Sequence, residues 1–404
     1  MSKVIVVIGA GAAGFFGAVT AAKANSGAKV VLLEKAKVGL SKVRISGGGR
    51  CNVTHSCFDP AELVKNYPRG GKELLGPFHH FQPKNTIEWF SERGVALKVE
   101  EDGRMFPITD SSETIIECLQ EEVHKTGVDI RWKSSIEKIE KKENGFEICF
   151  TTGEKLECDK ILLATGSNKE GHLLAESLGH AIVSPVPSLF TFNIPGSPLN
   201  ELAGISVDPV ALKIEGTNLK QQGPMLITHF GFSGPAALKL SAWGARILHD
   251  KGYQAKLLVN WLPKYTQESL IAHFLKMKKE HAAQSIAQVN PASIAKQLWK
   301  ALLDRMKLDS TTKMKDIPNK QLIQFAELLQ SDGYHIDGKT TYKQEFVTSG
   351  GVALNEVNFK TMESRKCPGL YFAGEVLDVD AVTGGFNFQN AWTTAWIAGT
   401  SIIN

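Results

Sequence analysis

Gly9, Gly11 and Gly14 are spaced as GxGxxG, and the chemistry that this spacing suits is the binding of a pyrophosphate. The first glycine permits a tight turn, the second lets the backbone approach the phosphates, and the third lets a helix pack closely on a strand. A helix opening at Ala12 and Ala13 would aim unpaired N–H groups at the same anion. By itself the spacing is common. Glu34, at the end of the next apolar run, adds a carboxylate where ribose hydroxyls need an acceptor, and the pair reads as a dinucleotide site rather than a glycine-rich turn beside a surface glutamate.

Three further loops decide which dinucleotide. Ser46-Gly47-Gly48-Gly49-Arg50-Cys51-Asn52 offers successive backbone N–H groups to a phosphate or a flavin ring, with Arg50 and Asn52 as extra donors. Near the C-terminus Gly374-Glu375 can set a carboxylate on a ribityl chain, and Gly384-Gly385-Phe386-Asn387 can bring backbone against a flavin. Each loop taken singly is also what a structural turn looks like. Together they converge on FAD rather than NAD, and Lys35, Arg44 and the Ala164-Thr165-Gly166 turn join the expected contacts. Cys51 is expected to pack near the flavin. A redox pair with Cys57 is disfavoured: five residues intervene, no second GxGxxG follows, and no His-Glu dyad closes the chain.

Outside these loops, His229 and Ser233 stand in a glycine-rich turn ahead of an expected helix, Pro235 to His249. Ser233 can cap that helix. The functional alternative has the helix N-terminus stabilising negative charge on a reduced flavin while His229 gives or takes a substrate proton.

The elements that must hold these residues follow from apolar periodicity. A strand from Lys3 to Ile8, a helix from Ala12 to Asn25 and a strand from Lys29 to Glu34 make a βαβ unit. After a helical stretch, Ser111 to Thr126, short strands at Asp129–Trp132, Ile136–Lys141 and Phe146–Thr151, with turns at Asn144-Gly145 and Thr152-Gly153, read as an antiparallel meander. Lys160 to Ala164 then returns to the parallel sheet. Prolines punctuate β-like runs from about Ser188, a helical region runs over about 264–332 with Ser293–Met306 as its clearest amphipathic stretch, and β character resumes from Glu345. The expected architecture is α/β: a glutathione-reductase-type FAD-binding Rossmann domain, 1–187 with 345–404, and a large α+β insert, 188–344, part β-barrel-like and part helical.

A chain of 404 residues with 46 basic against 42 acidic side chains and no long basic run gives little support to nucleic-acid or membrane partners. The six cysteines, without a CxxC, suit a reducing compartment, so the cytoplasm is expected. The apolar stretch Val4 to Ala22 resembles a signal peptide or membrane anchor, but its four glycines fit a strand-turn-helix better.

Val4–Glu34, Ser46–Asn52, Thr228–Pro235, Val347–Val352 and Tyr371–Gln389 together resemble a bacterial flavoprotein family known as NAD(P)/FAD-dependent or aminoacetone-oxidase-like oxidoreductases, one branch of which reduces double bonds in oxidised bile acids. The resemblance spans essentially the whole chain. It implies bound FAD and a glutathione-reductase-type FAD domain with a large insert, and it fixes the cofactor far better than the reaction; the expected activity is FAD-dependent reduction of a small organic substrate, with NAD(P)H as a possible transient donor. Two other classes remain open: an oxidase that returns electrons to oxygen, and a flavin-binding protein with a non-catalytic or RNA-related role.

Overall fold

The computed structural model describes residues 3–290, 294–340 and 347–403. The chain divides into two compact units, Met1–Pro187 with Lys343–Asn404, and Ser188–Tyr342. The boundary expected between residues 344 and 345, the expected strand's first residue Glu345, and Ser293 lie outside the described residues.

The first unit is built on β1 (Val4–Ile8), α1 (Ala12–Ala24), β2 (Lys29–Leu33), α2 (Ser41–Gly49), β3 (Asp129–Arg131), β4 (Lys160–Leu163), β5 (Leu370–Phe372) and α3 (Phe386–Ser401). The five strands are parallel in the order β5-β4-β1-β2-β3, and two short antiparallel strands, Glu363–Ser364 and Val357–Asn358, extend the β5 edge. Their apolar runs leave no solvated face: Ile5, Val6, Val7, Ile161, Leu162 and Leu163 are all fully buried. Gly17 of α1 faces Ala395 of α3, and a side chain at Gly399 would strike Thr20, so small residues let the two helices close on each other. β2 and β4 leave β1 in opposite directions, which places a topological switch point, and hence a ligand crevice, at the carboxyl ends of β1 and β4.

Residues 129–132 correct one expectation. Asp129–Arg131 does not belong to the meander but pairs in parallel with Val31–Leu33. A three-residue run is too short for periodicity to tell an edge of one sheet from the start of another. The antiparallel meander is Ile136–Lys142, Gly145–Phe150 and Lys155–Cys158. Val4 to Ala22 falls on a strand, a turn and a 13-residue helix, and among the described residues no helix is long and apolar enough to cross a membrane.

The second unit carries a seven-stranded antiparallel sheet in the order Asp332–Asp337, Gln254–Asn260, Ser206–Ile214, Lys220–Thr228, Gly231–Ser233, Thr191–Asn193, Lys339–Thr340. Helices Gln267–Glu280, Lys296–Arg305 and Asn319–Gln330 share one core with it, where Phe232 and Trp261 from the β part meet Phe274, Trp299 and Phe325 from the helices. The helix expected over Pro235–His249 is two, Pro235–Trp243 and Ala245–Asp250. They break at Gly244, where a Cβ would lie 3.0 Å from the Leu240 carbonyl oxygen.

Candidate FAD site

The fingerprint turn sits at the switch point. The Gly9 N–H donates to the Leu33 carbonyl (2.8 Å), and Glu34 closes the turn by accepting the Ala10 N–H on one oxygen and the Ala36 N–H on the other, each at 2.8 Å. Two carboxylate oxygens carry about four lone-pair sites, so acceptors remain for ribose hydroxyls. A Cβ on Gly14 would lie 1.7 Å from the Gly9 carbonyl oxygen, whereas one on Gly11 would meet nothing within 4 Å. The first is a packing glycine. The second faces open space at the N-terminus of α1, as a pyrophosphate requires. A groove lined by Gly9, Glu34, Lys35, Thr165, Asn168 and Gly171 continues from it, and the buried Thr165 hydroxyl in that groove has no hydrogen-bond partner.

Gly47, Gly48 and Gly49 follow one another with φ of +57°, +68° and +84°, a left-handed run at the end of α2 that turns successive N–H groups the same way. Side chains on Gly48 and Gly49 would again meet nothing within 4 Å. Arg50, expected as a donor to the cofactor, is engaged otherwise: its guanidinium donates to Glu100 (2.7 Å) and lies 4.0 Å above the Phe106 ring. It anchors the glycine loop. Arg44 is likewise paired with Glu113, Lys35 with Glu170 (2.8 Å), and Lys42 with Glu375 (2.7 Å). Cys51 is fully buried at φ +61°, and burial pushes its thiol up to about 12.

The C-terminal loop closes on this glycine loop. With its amide oriented to satisfy both neighbours, Asn52 accepts the Gly385 N–H (2.9 Å) and donates to the Thr54 carbonyl (3.1 Å). A Cβ on Gly385 would lie 2.4 Å from that Thr54 oxygen. Asn387 turns its side chain back on Ala381, accepting its N–H (3.0 Å) and donating to its carbonyl (3.2 Å). Gly374 packs against Ala13, and Gly351 of the Val347–Val352 strand against the Val376 carbonyl, so these segments gather round one turn.

The residues that hold the loops together were not singled out from sequence. Gln389 accepts from the Thr54 (2.6 Å) and Thr86 (2.9 Å) hydroxyls, the Trp392 indole donates to the Val53 carbonyl (2.9 Å), and the Tyr67 hydroxyl donates to the Phe386 carbonyl (2.6 Å). Arg69 forms a two-pronged ion pair with the fully buried Asp380. The legible signal is Gln389-Asn390, two adjacent amides in a helix rich in Phe, Trp and Ala; Asn390 is fully buried and neither of its amide atoms has a partner.

His229 and Ser233 belong to the second unit. The Thr228 hydroxyl closes the turn by accepting the Phe230 and Gly231 N–H groups (3.3 and 3.2 Å), leaving His229 and Phe230 exposed. Ser233 does not cap the helix that follows. It ends a strand, its hydroxyl accepting from Thr191 (2.9 Å), and Gly234 is the N-cap because its φ of +85° suits the sharp exit from strand to helix.

A groove beside the fingerprint turn lined by Glu34, together with two glycine loops that meet through Asn52 and Gly385, suits a dinucleotide whose second half is a flavin. The class so defined is the FAD-binding Rossmann oxidoreductase. The family profile described as HI0933-like protein Rossmann domain matches residues 3–401, and the chain belongs to that family of FAD-binding oxidoreductases. Among curated proteins it is similar to a ribosomal RNA dihydrouridine synthase of Escherichia coli, 32% identical over 98% of this chain and 97% of that protein. It is also similar to a 3-dehydro-bile acid delta(4,6)-reductase of Clostridium scindens, 27% identical over 97% of each. Of solved structures, a 3-ketosteroid-delta4-(5alpha)-dehydrogenase from Rhodococcus jostii shares the fold at 15% identity and TM-score 0.53, covering 99% of this chain and 96% of that one. An open flavocytochrome c3 fumarate reductase shares it at 17% identity and TM-score 0.51, covering 99% and 78%.

Proposed function

We propose that this chain is an FAD-dependent reductase that saturates a carbon–carbon double bond conjugated to a carbonyl, with NADH or NADPH as the electron donor. The observation that carries the cofactor half is the open space in front of Gly11 at the N-terminus of α1, in extended backbone that any residue adopts, where a side chain would meet no protein atom and a bound group accounts for the glycine. FAD, when bound, supplies hydride storage between a nicotinamide and an acceptor. The chemistry of the acceptor is supported by the two curated relatives. A delta(4,6)-reductase of a 3-oxo bile acid and a synthase of dihydrouridine both add hydrogen across a double bond conjugated to a carbonyl, although their substrates have nothing else in common.

In this reading Gly9, Gly11 and the Ala12-Ala13-Gly14 turn hold the pyrophosphate, Glu34 the adenosine ribose, Glu375 the ribityl chain, and the backbone of Gly48–Gly49 and Gly384–Phe386 the flavin. Lys35, Arg44, Ala164, Thr165 and Gly166 border the same cofactor. His229 is the proton donor to the acceptor, and Ser233, four residues on, is the second candidate catalytic residue. A small organic enone is the leading substrate class; uridine in ribosomal RNA is the second, favoured by the E. coli relative at 32% identity. The cytoplasm, where a nicotinamide donor is at hand and unpaired cysteines persist, is the proposed compartment.

Rapid mixing of the purified yellow protein with NADH or NADPH should bleach the flavin. Anaerobic addition of a cyclic enone or of uridine-containing RNA should then restore its colour and yield the saturated product. Reoxidation by oxygen alone, with every enone and RNA inert, would make the chain an oxidase and end this reading.

A further inference from the structure

The positive charge of this chain is concentrated, although the whole-chain balance conceals it. Between Lys264 and Lys320 eleven Lys and Arg stand against five Asp and Glu, so this stretch alone has a larger basic excess than the +4 of the whole chain, and the remainder is net acidic. The lysines are scattered in sequence; hydrogen bonds gather several of them on one edge. Helix Gln267–Glu280 carries Lys278 and Lys279 in its last turn, and the chain after it runs antiparallel to residues 312–315. Met314 N–H donates to Gln284 (2.9 Å), Lys315 N–H to Ala282 (3.2 Å) and Ile286 N–H to Thr312 (2.9 Å). Lys278 Nζ reaches across to the Ile317 carbonyl (2.6 Å) and to Asn319 (2.9 Å), beside Lys320 at the start of Asn319–Gln330. Met314 is fully buried while Lys313 and Lys315 on either side are exposed, which turns both ammonium groups to solvent.

Elsewhere in the chain several lysines, Lys23, Lys35, Lys42 and Lys98 among them, pair with a carboxylate. On this edge, among the described residues, no ion pair reaches Lys279, Lys313, Lys315 or Lys320, and Glu280 lies a loose 3.8 Å from Lys276. Glu280 and Asp316 are the carboxylates next to these lysines in sequence, so four lysines against two acids leave the edge net positive; like charges repel, and a polyanion with regularly spaced charges relieves that repulsion while releasing its own counterions.

We propose that this edge, Lys279, Lys313, Lys315 and Lys320, docks the phosphate backbone of RNA; the inference rests on the ribosomal-RNA reading of the substrate given above. An anionic membrane fits less well. Binding at a membrane interface needs apolar side chains to enter the lipid, and the exposed large apolar residues of this unit, Phe230, Trp243 and Ile247 among them, stand on other elements, whereas Gln284, Ser310 and Thr311 flank the lysines.

The test uses the full-length FAD-loaded protein, ribosomal RNA as the probe, and binding measured from low to moderate salt. In the quadruple variant Lys279→Gln, Lys313→Gln, Lys315→Gln, Lys320→Gln, the slope of log K against log salt should become shallower by about 3, at roughly 0.7–0.9 for each phosphate that is no longer neutralised. Flavin content and flavin reduction by NADH should stay at parental values. Lys264→Gln, Lys296→Gln, Lys300→Gln and Lys307→Gln, a set outside the seam with the same change in net charge, should alter the slope much less. An equal loss from both sets would overturn the edge in favour of overall charge. So would absence of RNA binding by the parent, or a loss seen only with phosphatidylglycerol vesicles. If the parent binds RNA through these lysines yet leaves its uridines unreduced, the docking edge stands and the RNA reading of the substrate falls.

Discussion

At the scale of single residues, the glycines of the candidate site divide into those that pack against protein and those that face a ligand, and substitution separates them. Gly11→Val adds atoms where the protein has none, in extended backbone that valine adopts, so its thermal unfolding should stay within about 1 kcal/mol of the FAD-free parent. Its flavin absorbance should nevertheless vanish on purification. Gly14→Val, whose Cβ would lie 1.7 Å from the Gly9 oxygen, should lose the fold as well. A Gly11→Val protein that purifies yellow would remove the pyrophosphate from this turn. Cys51 makes the opposite kind of prediction. A thiol pushed up to about 12 by burial holds almost no thiolate at neutral or mildly alkaline pH, so iodoacetamide should leave it unmodified until the protein unfolds. Labelling of native protein at Cys51, read by peptide mass spectrometry, would contradict that burial.

At the scale of elements, stability depends on groups that tie distant segments. His172 and His180 lie in and just beyond helix Lys169–Ser177, and burial holds both imidazoles below their ordinary 6.5. His180 is 2.9 Å from the Ser364 hydroxyl and 3.1 Å from the Glu356 carboxylate, which also pairs with Lys366 (2.5 Å), so it fastens the chain after this helix to the edge strands. The unfolded chain therefore protonates these histidines first. Their contribution is fully present above the ordinary value and declines as pH falls from there through the lowered folded values. The melting temperature should drop as pH goes from 7 to 5, and the drop should be smaller in His180→Asn, whatever that variant's stability at neutral pH. Parallel melting profiles for parent and variant would show that this histidine does not titrate on unfolding.

At the scale of the whole molecule, the count of dinucleotide fingerprints sets the kinetics. The chain has one GxGxxG, which the proposed FAD occupies, so a nicotinamide donor has no Rossmann site of its own and must leave before the acceptor enters. Double-reciprocal plots against NAD(P)H should be parallel at several acceptor concentrations, as in other enzymes that store a group between two half-reactions. His229→Ala should slow the acceptor half-reaction by roughly 10²- to 10⁴-fold and spare flavin reduction. Intersecting plots would mean that donor and acceptor bind together; an unchanged oxidative half-reaction would make His229 a turn residue only.

What the sequence alone determined is the local part of this protein. β1, the glycine turn, α1, β2 and Glu34 lie within one stretch of about thirty residues of the kind a βαβ unit takes, and spacing decides their geometry because each interaction joins near neighbours. Asn144-Gly145 and Thr152-Gly153 were legible for the same reason: a two-residue turn carries its own conformational demand. Tertiary structure decided the rest. Asp129–Arg131 is too short to choose a sheet by its own pattern and takes its place from the exposed edge of β2. Thr54 meets Gln389 across 335 residues, and Tyr67 meets Phe386 across 319, pairings that no periodicity encodes. Arg50 read as a free donor until the fold brought Glu100 and Phe106 to it. Lys278, Lys313 and Lys320 form no run in sequence, and only the antiparallel seam at Met314 and the hydrogen bond from Lys278 to Asn319 bring their segments together. Spacing along a chain specifies what neighbours can do; which distant groups become neighbours is settled by the burial of the whole core.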